Sequence, residues 1–296
     1  EVWDWDALLD AYFKRKELKP NTCDSCRAAV RWVLRYQPSA RISDMSEGFI
    51  EGLKAYMKRT HMKKCGEEMS VNTIAMYFRA LKAICNYAIT LGQLTESPFK
   101  KPIPTALRQK RAIPLDEWLR FVHFVPEEGS RMEFAHKFAL LSFAMSGANM
   151  ADILALKNRN ILKDRISFTR QKTERVDSNV AIPIADSTRE LIVGNGGVLN
   201  PDKPNAYVFP FYRADMSENT LKNTRSRILK KINKGIHEIC DSLGMEPFTT
   251  YNIRHTYVSL MISKGATAEQ MMSLLGHKNV ETTKIYFNTV TNQVLD

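Results

Sequence analysis

Tyr251-Asn-Ile-Arg254-His255-Thr-Tyr-Val258 is followed by Leu275-Gly-His277, and Tyr286 stands nine residues beyond that histidine. In this order the three segments supply a guanidinium, an imidazole and a phenol. Breaking a phosphodiester without metal or activated water needs such groups: cations to neutralise the non-bridging oxygens as the pentacovalent state forms, and a nucleophile. A tyrosyl ester conserves the energy of the broken bond, so the 5′-hydroxyl of a second strand can reverse the step. The spacing also predicts local structure. Arg254 and His255 open an amphipathic helix that runs toward Lys264, with Gly265 past its end. Thr267-Ala-Glu-Gln270 reads as a capping box for a short helix through Leu274 and Leu275, which Gly276 stops so that His277 emerges at the break. A further helix from near Asn279 carries Tyr286 about two turns along.

The bulk composition agrees with a nucleic-acid partner. The chain has 296 residues, 44% hydrophobic and 25% charged, enough for two cores and too apolar for a disordered tail. Against 32 Asp and Glu stand 43 Lys and Arg, a net charge of +11 that favours an extended polyanion. An anionic membrane surface is the rival partner, yet the sequence holds neither an apolar run of about 18 residues nor a continuous basic amphipathic helix. No membrane association is expected, and the reading places the protein in a cytosol. The five cysteines are odd in number and widely spread, which suits reduced thiols. Cys23-Asp-Ser-Cys26 has the spacing of half a zinc site, but no second pair with ligand spacing accompanies it, so it reads as one turn of a helix. No cofactor and no metal are called for.

Residues 1–100 read as four helices: Trp3 to Lys16, one after Pro20-Asn21-Thr22 that ends before Pro38, Ser46 to Arg59, and one with Ser70 as N-cap that stops at Gly92. Ser97-Pro-Phe-Lys-Lys-Pro-Ile-Pro104 places three prolines in seven residues and is extended by Arg108-Gln-Lys-Arg111, so 101–113 reads as an extended basic linker. A second domain, 114–296, opens with helices from Leu115 to Val125, Arg131 to Met145 and Met150 to Lys157. Arg165 to Arg170 and Asn179 to Ile184 alternate apolar and polar positions like two strands of a hairpin, with Gln171 to Ser178 as its turn. Helices are expected again from Asp186 to the end. The fold class is therefore mainly α with a small β-sheet, α+β.

The order Arg-His, Leu-Gly-His, Tyr closely resembles the carboxy-terminal active-site region of the tyrosine recombinases, the phage-type integrase family. The resemblance extends upstream, where Arg170-Gln-Lys172-Thr173 looks like the family's lysine-bearing β-turn and Ile182-Pro-Ile184 like the strand after it. It implies a helical, SAM-like core-binding domain and a catalytic domain that clamp double-stranded DNA. It also implies site-specific strand exchange through a 3′-phosphotyrosyl intermediate. Tyr286 is then the nucleophile, Arg254 the second catalytic arginine, His277 the histidine that hydrogen-bonds the scissile phosphate, and Lys172 the acid for the leaving 5′-oxygen. By the same resemblance, the partners are duplex DNA and a homotetramer on synapsed sites, with room for DNA-bending accessory proteins. The tail ending Thr291-Asn-Gln-Val-Leu-Asp296 would dock on a neighbouring protomer.

Two positions depart from the family's pattern. Where Gly-x-Arg-x-x-Glu/Asp is expected, the chain reads Gly147-Ala-Asn149-Met-Ala-Asp152, so the acid is present and the first arginine is an asparagine. An amide donates a hydrogen bond but no charge. Proximity in sequence nominates Arg131 or Lys137 as the compensating cation. Tyr251 stands where the family often has His or Lys, and a phenol still donates to a phosphate. The alternatives are a DNA-binding homologue that keeps the fold without catalysis and a type IB topoisomerase, which the compact length disfavours.

Overall fold

The computed structural model describes residues 3–106, 111–170 and 179–275, and the chain packs as two compact units, Glu1–Arg108 and Gln109–Asp296. Lys172, His277, Tyr286, the turn 171–178 and the C-terminal tail lie outside the described residues.

The first unit is built from α1 (Trp5–Lys16), α2 (Pro20–Tyr36), α3 (Glu47–Cys65) and α4 (Val71–Thr90). Asp4 caps α1 by accepting from the Ala7 amide at 2.7 Å, and Ser70 caps α4 by accepting from the Thr73 amide at 3.2 Å. Pro20 begins α2 at the first-turn position where its missing N–H costs nothing. Leu8, Val33, Leu53, Leu81 and Ile84 are fully enclosed in one core. Each such side chain contributes about 1.5–3 kcal/mol by leaving water. Three boundaries differ from the sequence reading. Trp3 precedes α1 because Asp4 caps it, α2 begins at Pro20 itself and not after Thr22, and α3 runs six residues past Arg59 to a left-handed cap at Gly66. Cys26 is buried on α2, and burial pushes its thiol up to about 11.

The second unit has its own core, centred on α6 (Arg131–Ala144) and α9 (Glu218–Leu243), with α5 (Leu115–Val122) beside them. Gly235 of α9 sets the spacing: a Cβ there would lie 2.5 Å from the Ala135 Cβ and 2.7 Å from the Arg131 carbonyl oxygen. His136 is buried on α6, its Nε2–H donating to the Phe121 carbonyl at 2.8 Å, and burial lowers its pKa. A short α7 (Met150–Leu154) leads to strands β1 (Arg165–Thr169) and β2 (Asn179–Pro183), paired antiparallel with Ile166 opposite Ile182 and Phe168 opposite Val180. Those four side chains face the core. Because a two-stranded ribbon is marginal by itself, this packing holds it in place, and α11 (Ala268–Leu275) covers β2.

The continuous run of helix anticipated after Asp186 is not what forms. α8 (Asp186–Gly194) ends at Gly194-Asn-Gly-Gly197, and residues 195–217 cross the unit without a regular element. Gly196 has φ +77°, and Pro201, Pro204 and Pro210 remove amide donors. The segment is fixed by backbone pairing instead: Val208 N–H donates to the Leu156 carbonyl and Val198 N–H to the Val208 carbonyl, each at 2.8 Å. α10 (Thr250–Ser263) completes the unit and carries the opening motif.

Candidate active site

α10 begins at a tightly fixed point. Asn252 Oδ1 accepts from the Thr249 amide at 2.9 Å, and its Nδ2–H donates to the Arg111 carbonyl at 3.0 Å. Thr256 Oγ1 accepts from the Ile113 amide at 2.8 Å. The first two turns of the helix are thus tied to the start of the second unit, which fixes the rotation of α10 and the direction of its side chains. Tyr251 and His255, one turn apart, meet edge to face with ring centroids 4.5 Å apart. Tyr251 stays 57% exposed while His255 is buried, so the phenol is the outward end of this pair.

Arg254 faces the other way, into the turn between α6 and α7. It is 4% exposed and its Nη1–H donates to the Gly147 carbonyl at 3.1 Å. The turn is unusual in sequence terms. Ser146 and Gly147 both take positive φ, 56° and 67°, and a Cβ on Gly147 would lie 2.9 Å from the Arg254 Cα. Only a glycine allows the turn and the α10 backbone to approach so closely without strain. Ser142 Oγ–H braces the turn by donating to the Ala148 carbonyl at 2.9 Å.

Asn149 follows as the N-cap of α7. Its carbonyl accepts from the amides of Asp152 and Ile153 at 2.9 and 3.1 Å, but its side chain makes no capping bond, although Asn is among the best capping residues. Three residues on, Asp152 is buried, and its Oδ2 lies 3.9 Å from Nε of Arg170, which follows β1. Gly147, Asn149, Asp152, Arg170 and Arg254 thus meet around one turn. The arrangement offers guanidinium groups and an amide donor to an anion in a site largely withdrawn from water, where charge interactions are strong.

The cations nominated for Asn149 are engaged elsewhere. Arg131 is the first residue of α6 and pairs with Glu238 of α9 at 3.0 Å. It is some 13 residues, about 20 Å, from the helix end that leads to Asn149. Lys137 pairs with Glu133 at 2.6 Å, toward the start of the helix. Sequence proximity misled here because a helix carries neighbours in sequence away from its end. Arg170 had a signal that could have found it: it continues the inward-facing alternation of Ile166 and Phe168.

α11 opens at the reciprocal bonds read from the sequence, Thr267 N–H donating to Gln270 Oε1 at 2.9 Å and Gln270 N–H to Thr267 Oγ1 at 3.3 Å. It buries Met271 against Val258 of α10 and packs on β2, so the segments before His277 and around Arg170 belong to one assembly. Among the described residues, no group of three or more His, Cys, Asp or Glu side chains could hold a metal ion, and no helix is long and apolar enough to cross a membrane.

Known proteins resemble this chain in sequence and in fold. The chain is 23% identical over 234 residues to a tyrosine recombinase of Thermosipho africanus, covering 78% of this chain and 76% of that protein. Its fold is similar to that of lambda integrase residues 75–356, seen as a dimer bound to a COC′ core site. The TM-score is 0.63 at 18% identity, with 96% of this chain and 95% of the other covered. The lambda integrase tetramer bound to a Holliday junction has a TM-score of 0.58 at 16% identity, covering 93% of this chain and 77% of that one. A phage integrase SAM-like domain is recognised at residues 7–106. The model of the phage integrase family matches residues 112–293, more than half of the sequence, and the chain belongs to that family.

Proposed function

We propose that the protein is a site-specific DNA recombinase that cuts and rejoins strands through a 3′-phosphotyrosyl intermediate on Tyr286. The observation that carries this reading is the buried Arg254, anchored on Gly147 beside Asn149 and Asp152 and followed in sequence by His277 and Tyr286 at the family's spacing. Arg254 and His277 hold the non-bridging oxygens of the scissile phosphate, with Asn149 and Tyr251 as neutral donors. The Tyr286 oxygen attacks phosphorus, the bond from phosphorus to the 5′-oxygen breaks, and Lys172 protonates that oxygen. A free 5′-hydroxyl reverses the sequence on a second strand, so neither water nor an external energy source is consumed.

Residues 1–100 form the core-binding domain, 101–113 a basic linker, and 114–296 the catalytic domain. Exposed Arg227, Lys230, Lys231 and Lys234 on α9 give the latter a cationic face suited to a phosphate backbone. By analogy with the lambda integrase tetramer, four copies act on synapsed sites in the bacterial cytoplasm.

The test is covalent capture. A pool of random-sequence duplexes is nicked so that a short 5′-hydroxyl fragment diffuses away after cleavage, trapping the adduct. Denaturant-resistant complexes are expected from the parent protein and absent with Tyr286→Phe, and the captured DNA then defines a working substrate. Binding to duplex with no adduct from any member of the pool would favour the non-catalytic homologue.

A further inference from the structure

We infer that Arg170, held by Asp152, supplies the second guanidinium on the scissile phosphate, the charge that Asn149 cannot bring. This rests on the recombinase reading and concerns its electrostatics. A phosphodiester carries one negative charge, and its pentacovalent transition state carries more, so a neutral amide in place of an arginine leaves the clamp short of a cation.

Three observations single out Arg170. It continues the inward alternation of β1: Ile166, Phe168 and Arg170 are buried at every second position, and the third is where an apolar residue would be cheapest. Its partner belongs to the turn that lost the arginine. Asp152 is the third residue of α7 and Asn149 its N-cap, and the two are joined by the Asp152 amide donating to the Asn149 carbonyl at 2.9 Å. Lastly, Arg170 and Arg254 reach the same six-residue segment from different elements, one through Asp152 at 3.9 Å and the other through the Gly147 carbonyl at 3.1 Å.

The pairing also explains the carboxylate. An acid next to a phosphate repels it unless it orients a cation, and a guanidinium with five donors can face a carboxylate and still present donors to an anion. Asp152 is then a positioning residue for Arg170. In this account the charge absent from position 149 returns from the hairpin strand.

The experiment uses the full chain and the duplex chosen by covalent capture, made with an ordinary scissile phosphate and with an uncharged methylphosphonate in its place. On the phosphate, adduct formation by Arg170→Ala is expected to fall about 100-fold or more, and on the methylphosphonate to return to within about threefold of the parent protein on that substrate. A purely structural arginine would not produce this selective rescue. Equal losses on both substrates, or no loss on either, would overturn the inference while leaving the recombinase reading intact. If uncovering the Asp152 carboxylate unfolds Arg170→Ala, the double variant Arg170→Ala/Asp152→Asn removes the stranded charge and is expected to show the same rescue; its failure to do so would also overturn the inference. A parent protein that forms no Tyr286-linked adduct on either substrate would instead sink the recombinase reading, and this inference with it.

Discussion

Two glycines in the second unit allow close approach, and they do so for different ends. Gly235 lies mid-helix on α9 and lets α9 settle against Ala135 and the Arg131 carbonyl of α6. Gly147 lies in the turn after α6, at φ +67°, and lets that turn settle against Arg254 of α10. The first contact joins the two helices at the centre of the core. The second shapes the place where a phosphate would be held. A glycine in scaffold packing should therefore govern stability, and one in site packing should govern both stability and chemistry.

Gly147→Ala gives the larger effect. A positive φ costs a non-glycine residue about 1–2 kcal/mol, and overpacking against the Arg254 backbone adds about 1–3 kcal/mol. The surviving folded protein should also form adduct about 100-fold more slowly, because Arg254 is pushed from its place. Denaturant unfolding and single-turnover capture on the same preparation check both parts; an unchanged rate would break the comparison. Gly235→Ala should lose a smaller net amount, about 1–2 kcal/mol, since overpacking is partly offset by the better helix propensity of alanine. Its rate per folded molecule should match the parent's.

The smallest effect concerns pH. His136 is buried and neutral against Phe121, with a pKa below its ordinary 6.5. In that window the unfolded chain binds a proton that the folded chain refuses. Stability contributed by the neutral ring is therefore full above about pH 6.5 and declines as pH falls toward the lowered folded value. Unfolding midpoints of the second unit measured from pH 7.5 to 5 should drop, and His136→Gln should flatten part of that slope.

Much of the helical framework was legible because its signals are local: Ser70 before an apolar period, and Thr267 with Gln270. The hairpin was equally readable from alternation, and its register follows from Ile166 and Phe168 facing Ile182 and Val180. What failed was non-local. The Gly194 to Ser217 crossing depends on backbone bonds to Leu156 and Asn158, some forty residues away in sequence, which no periodicity announces. The compensating cation was sought along α6 for the same reason, whereas β1 brings Arg170 to Asp152 across the fold. The motif residues Arg254 and Asn149 were readable by type and spacing, and their meeting at Gly147 was not.

The central claim is that a cluster lacking the usual first arginine still makes a tyrosyl–DNA bond. Its most direct measurement is peptide mapping by mass spectrometry of the adduct captured from the nicked duplex pool. The account predicts a nucleotide remnant on the peptide containing Tyr286, present in the parent protein and lost in Tyr286→Phe. A remnant on any other residue, or DNA bound without a covalent remnant, would contradict it.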